Sequence, residues 1–117
     1  MTSEVRETEG VVRFSPEHAT VYFSGALRLA NVKAYDNVAK LLHDAAAVVG
    51  GEPLVLDFKE LKFLNSSGIT ALSLFVVGAR KAGTPRLKLV GSKATAWQQK
   101  SLANFQMLWK EMPLVIE

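Results

Sequence analysis

The longest apolar stretch of the chain runs from Ile69 to Ala79, where nearly every position is hydrophobic. Asn65 and Ser66 lie just before this stretch, and the basic pair Arg80-Lys81 follows it. Asn and Ser side chains accept hydrogen bonds from the free N–H groups of a helix's first turn, and basic residues suit its last turn. The pattern therefore predicts a buried helix that begins at a serine pair.

A second helix is predicted earlier in the chain, from Val32 or Lys33 to Val49. Its apolar residues recur at the i, i+3, i+4 and i+7 spacing of one helix face, and Gly50-Gly51 follows as a stop. Asn31 is the predicted N-cap of this helix. A third helix, containing Trp97 and Leu102, is expected to begin at Gly91-Ser92 and to end near Asn104, with a separate short helical turn over 106–110.

The remaining apolar runs are short and predict strands. Turn-forming residues at 15–18 separate two β-prone runs, which therefore predict a hairpin. Pro53 precedes a buried strand, and a polar loop is expected over 57–62. The predicted strands cover 11–14, 19–23, 54–57, 86–90 and 113–117.

The predicted order is ββαβαβαβ. Strands that alternate with helices indicate an α/β fold with a mixed, mostly parallel sheet, and parallel crossovers are almost always right-handed. A chain of 117 residues has the length of one domain. We therefore expect a single domain over 1–117, with a flexible N-terminal tail over 1–9.

Composition narrows the classes of function. The chain has no cysteine, which excludes disulfides and thiolate metal sites. No stretch approaches the roughly 18 apolar residues of a membrane helix, and the N-terminus is acidic and polar, unlike a secretory signal. These features favour a cytoplasmic protein that does not enter a membrane.

Charge is unevenly distributed along the chain. Residues 1–60 carry six basic and nine acidic side chains, whereas residues 61–117 carry eight basic and two acidic ones. A basic half can attract nucleic acid. Here the basic residues are scattered over several predicted elements, so a solvated surface is the favoured interpretation and nucleic-acid binding is not expected.

No residue pattern indicates catalysis or a cofactor. His18 and His43 are the only histidines and lie in separate elements, so we expect no metal site. The chain has no nucleophile elbow and no glycine-rich loop followed by lysine. Asp57 and Glu60 are interpreted as solvating and capping residues, and we expect neither enzymatic activity nor a cofactor.

The strand Leu54-Val55-Leu56-Asp57, followed by Leu64-Asn65-Ser66-Ser67-Gly68-Ile69, resembles the signature of the STAS domain family. This family includes bacterial anti-sigma factor antagonists and the cytoplasmic domains of sulfate transporters. Its usual pattern is an apolar strand ending in Asp, a short loop, and Asp-Ser-Ser-Gly opening a helix. The chain departs from it at Asn65, where the family usually has Asp. The resemblance implies a STAS-like (SpoIIAA-like) fold.

The resemblance also implies a function, which is a partner-switching role controlled by serine phosphorylation. In the antagonists the first serine of the pair is phosphorylated, which corresponds to Ser66, with Ser67 as the weaker candidate. The implied partners are an anti-sigma factor or related GHKL-type serine kinase, and a PP2C-type phosphatase. The expected partner-binding residues are Lys62, Phe63, Asn65, Ser66, Ser67, Gly68 and Thr70.

The residues leave other interpretations open. Asn65 and Ser66 can simply cap a core helix. The chain can be a constitutive STAS scaffold that is never phosphorylated, with Asn65 marking that loss. It can also be a module for a small anionic ligand or nucleotide, which would bind at the same helix N-terminus.

Overall fold

The computed structural model describes residues 3–117. Its strands are β1 (Glu4–Arg6), β2 (Gly10–Ser15), β3 (Thr20–Leu27), β4 (Leu54–Leu64), β5 (Leu87–Gly91) and β6 (Leu114–Ile116), and its α-helices are α1 (Asp36–Val49), α2 (Ser66–Ala82) and α3 (Ala96–Leu108). Two short 3₁₀ helices lie at Pro16–His18 and Val32–Tyr35. Asn31 caps the second of these, with its Oδ1 accepting from the N–H of Ala34 at 3.0 Å.

The strands form one mixed sheet in the order β1-β2-β3-β4-β5-β6. The pairs β1–β2 and β2–β3 are antiparallel, and the pairs β3–β4, β4–β5 and β5–β6 are parallel. The predicted hairpin over 11–23 and the parallel strands that follow are therefore confirmed. The mixed, mostly parallel sheet of the predicted α/β fold is confirmed as well.

The three α-helices pack on one face of the sheet. Strand residues that point to this face are almost completely buried, among them Val21, Phe23, Leu56 and Phe58. The ring of Phe58 stacks on Phe23 at 4.5 Å and lies 6.4 Å from the ring of Phe105 on α3. The opposite face carries polar side chains and has no helix against it within residues 3–117.

β4 is longer than predicted, and the expected polar loop over 57–62 is wrong. The strand continues to Leu64 because residues 60–64 also pair with β3. Two register shifts against β3 each add one residue to β4, so the strand contains two bulges. The bulges and the strand alternation place polar side chains on the open face while Phe58, Leu61 and Leu64 remain buried. Polar composition alone therefore does not indicate a loop here.

The bulges leave backbone carbonyl groups that a side chain from α3 satisfies. Gln98 is fully buried, and its Nε2 donates to the carbonyls of Phe58 at 2.6 Å and Leu61 at 2.9 Å. Its Oε1 accepts from the N–H of Ser92 at 2.7 Å. Trp97 Nε1 also donates to the Leu61 carbonyl at 3.2 Å. Two neighbouring residues of α3 thus hold the irregular half of β4.

Further boundaries differ from the prediction at the start of the chain and around α3. Glu4–Arg6 is not a flexible tail, because it pairs antiparallel with β2 and buries Val5; residues 1–2 lie outside the described range. The observed order therefore has one strand more than ββαβαβαβ at its start. α3 begins at Ala96, later than the expected Gly91-Ser92, because Gly91 is the last residue of β5. It continues past Asn104 to Leu108 and so includes part of the turn expected over 106–110, since Phe105 is buried against the sheet.

We predict that Gln98→Leu lowers the free energy of unfolding by roughly 2–4 kcal/mol, because it removes the side-chain donor to the Phe58 carbonyl and the acceptor for the half-buried Ser92 N–H, and leaves the Leu61 carbonyl with Trp97 alone. Urea unfolding followed by circular dichroism measures this loss. Gln99→Leu is the matched control, since Gln99 is exposed on the same helix turn. Equal loss in the two variants would contradict the role given to Gln98.

Candidate functional site

The serine pair, Ser66-Ser67, lies at the start of α2, directly after the carboxyl end of the central strand β4. Asn65 is the N-cap, and its Oδ1 accepts from the N–H of Gly68 at 3.0 Å. Ser66 is the first helical residue and is exposed, while Ser67 is half-buried. The hydroxyl of Ser66 makes no hydrogen bond within residues 3–117. The helix start predicted from the sequence is therefore confirmed, and its cap is Asn65.

Asn65 also belongs to a closed ring of hydrogen bonds with Tyr35 and Leu29. The backbone N–H of Leu29 donates to the Tyr35 hydroxyl at 3.3 Å, and that hydroxyl donates to Asn65 Oδ1 at 2.6 Å. Asn65 Nδ2 donates in turn to the carbonyl of Leu29 at 2.7 Å. We call this arrangement the Asn65 ring. It joins the segment before α1 to the first turn of α2.

The Asn65 ring uses both functions of an amide at position 65. An amide both donates and accepts, and Asn65 uses both functions here. An ionised carboxylate only accepts, so it would place negative charge against the Leu29 carbonyl. Asn is therefore the residue that suits this ring.

Gly68 is required where the Tyr35 ring packs on the first turn of α2. A Cβ atom at Gly68 would lie 2.8 Å from the Tyr35 hydroxyl and would also collide with Leu64. Tyr35 itself is only 2% exposed. Gly68, predicted as a partner-binding residue, is buried, so its place in the structure is that of a packing residue.

Phe63 and Lys62 lie at the last bulge of β4, beside this helix start. Phe63 is 40% exposed, and the Arg28 guanidinium lies over its ring at 4.6 Å. Arg28 also forms an exposed ion pair with Glu9 at 2.7 Å. Lys62 is exposed. The structure thus brings a half-exposed aromatic ring and two cations to the end of the sheet at which α2 begins.

The exposed residues of α2 beyond Ser66 form a surface that is continuous with the helix start. Ser66, Thr70 and Leu74 recur at four-residue spacing, and all three are exposed. Leu74 is 61% exposed and borders a groove between α1 and α2 with a volume of about 150 Å³. Ser73 differs from Thr70, because its hydroxyl donates to the Ile69 carbonyl at 2.8 Å. Thr70 and Leu74 therefore extend the surface that begins at Ser66.

Within the described residues, no group of three His, Cys, Asp or Glu side chains could hold a metal ion. His18 is hydrogen-bonded to Ser15, with 2.9 Å between Nδ1 and Oγ, and His43 packs edge-on against Phe75. No helix in the described part of the chain has the length and apolar character needed to cross a membrane.

The chain matches no protein-family model and no curated protein. Solved structures do match. Apo-SiaC from Pseudomonas aeruginosa is 17% identical, with a TM-score of 0.71 over 99% of each chain. A chain of the complex between the diguanylate cyclase SiaD and its activator SiaC, from the same organism, is 19% identical, with a TM-score of 0.72 over 98% of each chain. The fold is STAS-like, as the Ser-Ser-Gly motif implied.

Sequence reasoning finds Asn65, Ser66 and the exposed residues around them, but misses Tyr35, Leu29 and Arg28. The hydrophobic pattern places Tyr35 within a predicted helix, and no spacing rule joins it to a residue thirty positions later. One signal is available, because a buried tyrosine usually finds a hydrogen-bond partner for its hydroxyl. The partner itself follows only from the fold.

We predict that the Asn65 ring loses stability at alkaline pH. Burial raises the pKa of Tyr35, with a smaller contribution from Glu7, against a hydrogen bond from Leu29 that lowers it. The unfolded chain ionises first, near pH 10. The stabilisation is therefore complete below pH 10 and is lost as pH rises through the folded pKa.

The measurement is the urea midpoint at several values between pH 8 and pH 11. The urea midpoint of the wild type should fall more steeply above pH 10 than that of Tyr35→Phe, because the variant has no group to ionise at this position. Tyr22→Phe is the matched control and should keep the wild-type slope. Parallel curves for wild type and Tyr35→Phe would contradict the prediction.

Proposed function

We propose that this chain is a non-catalytic regulatory protein that binds a partner protein with the surface around Ser66 and releases it when Ser66 is phosphorylated. The observation that supports this most directly is the geometry of Ser66. Its hydroxyl is exposed and makes no hydrogen bond within residues 3–117, while the cap of α2 is supplied by the neighbouring Asn65. The serine is therefore available for modification without being needed for the fold.

A phosphate at this position is compatible with the folded helix. The backbone N–H groups of Ser66 and Ser67 make no hydrogen bond in the described part of the chain, because they precede the first helical hydrogen bond, from Ile69 to Asn65. Free N–H groups and the positive end of the helix dipole favour an anion. Phosphorylation would leave the Gly68-to-Asn65 cap in place.

The same phosphate would oppose a docked partner. It adds nearly two negative charges at pH 7 to a surface that includes exposed Thr70, Leu74 and part of Phe63. Burying an unpaired charge in such an interface can cost several kcal/mol. Phosphorylation would thus switch binding off by changing the surface, with the fold unchanged.

The resemblance to STAS antagonists suggests the enzymes that operate this switch, a GHKL-type serine kinase and a PP2C-type phosphatase. An anti-sigma factor is one class of target. A protein of the same fold, SiaC, is described as the activator of a diguanylate cyclase with which it forms a complex. We therefore include a regulated enzyme among the targets of this chain.

The first experiment is intact-mass analysis of the protein purified from its own host under several growth conditions. A phosphorylated fraction should appear as a gain of about 80 Da, should persist in Ser67→Ala, and should be lost in Ser66→Ala. Both variants should unfold within about 0.5 kcal/mol of wild type, since neither hydroxyl forms a hydrogen bond in the described chain. A chain that is never modified would favour the constitutive scaffold. A mass gain retained in Ser66→Ala would show that the phosphorylated residue is not Ser66.

A further inference from the structure

Ser66 has no side-chain partner within residues 3–117, so its position is set by the backbone of the first turn of α2. That backbone depends on Asn65, whose Oδ1 caps Gly68 and whose Nδ2 reaches Leu29. Tyr35 is the side chain that donates to the same Oδ1, and at 2.6 Å this is the shortest contact of the Asn65 ring. Tyr35 therefore contributes to the geometry of the first turn of α2 although it contacts neither the Ser66 nor the Ser67 hydroxyl.

We infer that Tyr35 is a positioning residue for Ser66, acting through Asn65 to hold the free N–H groups of Ser66 and Ser67 where a phosphate on Ser66 can accept from them. This inference rests on the proposed function, because it assigns a role in the phosphorylated state. It adds a residue that the Ser-Ser-Gly motif does not contain.

The Tyr35 hydroxyl holds the Asn65 amide in its orientation together with the Gly68 N–H and the Leu29 carbonyl. As a donor to Oδ1 and an acceptor from Leu29, it pairs only with the orientation in which Nδ2 faces the Leu29 carbonyl. Removing the hydroxyl leaves the Leu29 N–H without this partner and leaves the Asn65 amide held only by the Gly68 N–H and the Leu29 carbonyl, so the first turn of α2 is less tightly fixed. In Tyr35→Phe the phenyl ring would still fill the space against Gly68, so the core is kept.

The test uses chains with phosphoserine incorporated genetically at position 66 and needs no kinase. Phosphorus NMR during a pH titration gives the second pKa of the phosphate, which is about 6 when unperturbed. A phosphate held by the helix start should titrate about half a pH unit lower. In Tyr35→Phe the value should return most of the way towards 6.

Tyr22→Phe is the matched control, because Tyr22 lies on the open face of the sheet under Arg13 and belongs to no part of the site. It should keep the lowered value. Asn65→Ser provides a second variant, since serine can cap Gly68 but cannot reach Leu29. The phosphate pKa should return towards 6 in this variant as well. Because the cap is kept, this result would show that the Asn65 ring, and not the cap alone, lowers the phosphate pKa.

An unchanged phosphate pKa in Tyr35→Phe, in a chain that circular dichroism shows to be folded, would overturn the inference whatever Asn65→Ser shows. A lowered value in wild type that only these variants lose would support it. Failure of the proposed function looks different, because it would appear as a wild-type chain that is never phosphorylated in its host. The NMR comparison would then still report whether Tyr35 sets the geometry at position 66.

Discussion

β4 is the strand on which the rest of the structure depends, and the constraint on it is hydrogen bonding in a dry interior. It pairs with β3 and β5, and its two bulges turn carbonyl groups away from the ladder. Gln98 supplies the missing donors from the other side of the core. Because buried polar groups without partners are costly, the irregular strand and α3 are stable only together.

The bulges matter for the site because they determine what reaches the end of the strand. After them, Leu64 points into the core while Phe63 faces the open side under Arg28. Asn65 then leaves the sheet and enters the hydrogen-bonded ring with Tyr35. The surface around Ser66 is thus built on three elements that are distant in sequence: the end of β4, the segment before α1, and the first turns of α2.

The sequence was sufficient for features governed by local chemistry. Hydrophobic spacing predicted α1 and α2, and the Asn-Ser-Ser-Gly stretch predicted the start of α2. It was insufficient where long-range pairing decided the outcome. The stretch over 57–62 has the composition of a loop, yet β3 pairing makes it a strand. The partnership of Tyr35 with Asn65 arises only when the segment before α1 packs on the start of α2, which no local pattern encodes.

The first edge of the sheet has a consequence for association between chains. β1 contains three residues, and both Glu4 and Arg6 are exposed beside its unpaired backbone groups. A short edge with charges of both signs is a poor template for a strand from another molecule. Replacing Glu4 or Arg6 by a hydrophobic residue would remove a charge that opposes pairing with a strand of another molecule. The charged pair therefore disfavours the addition of a strand at the β1 edge.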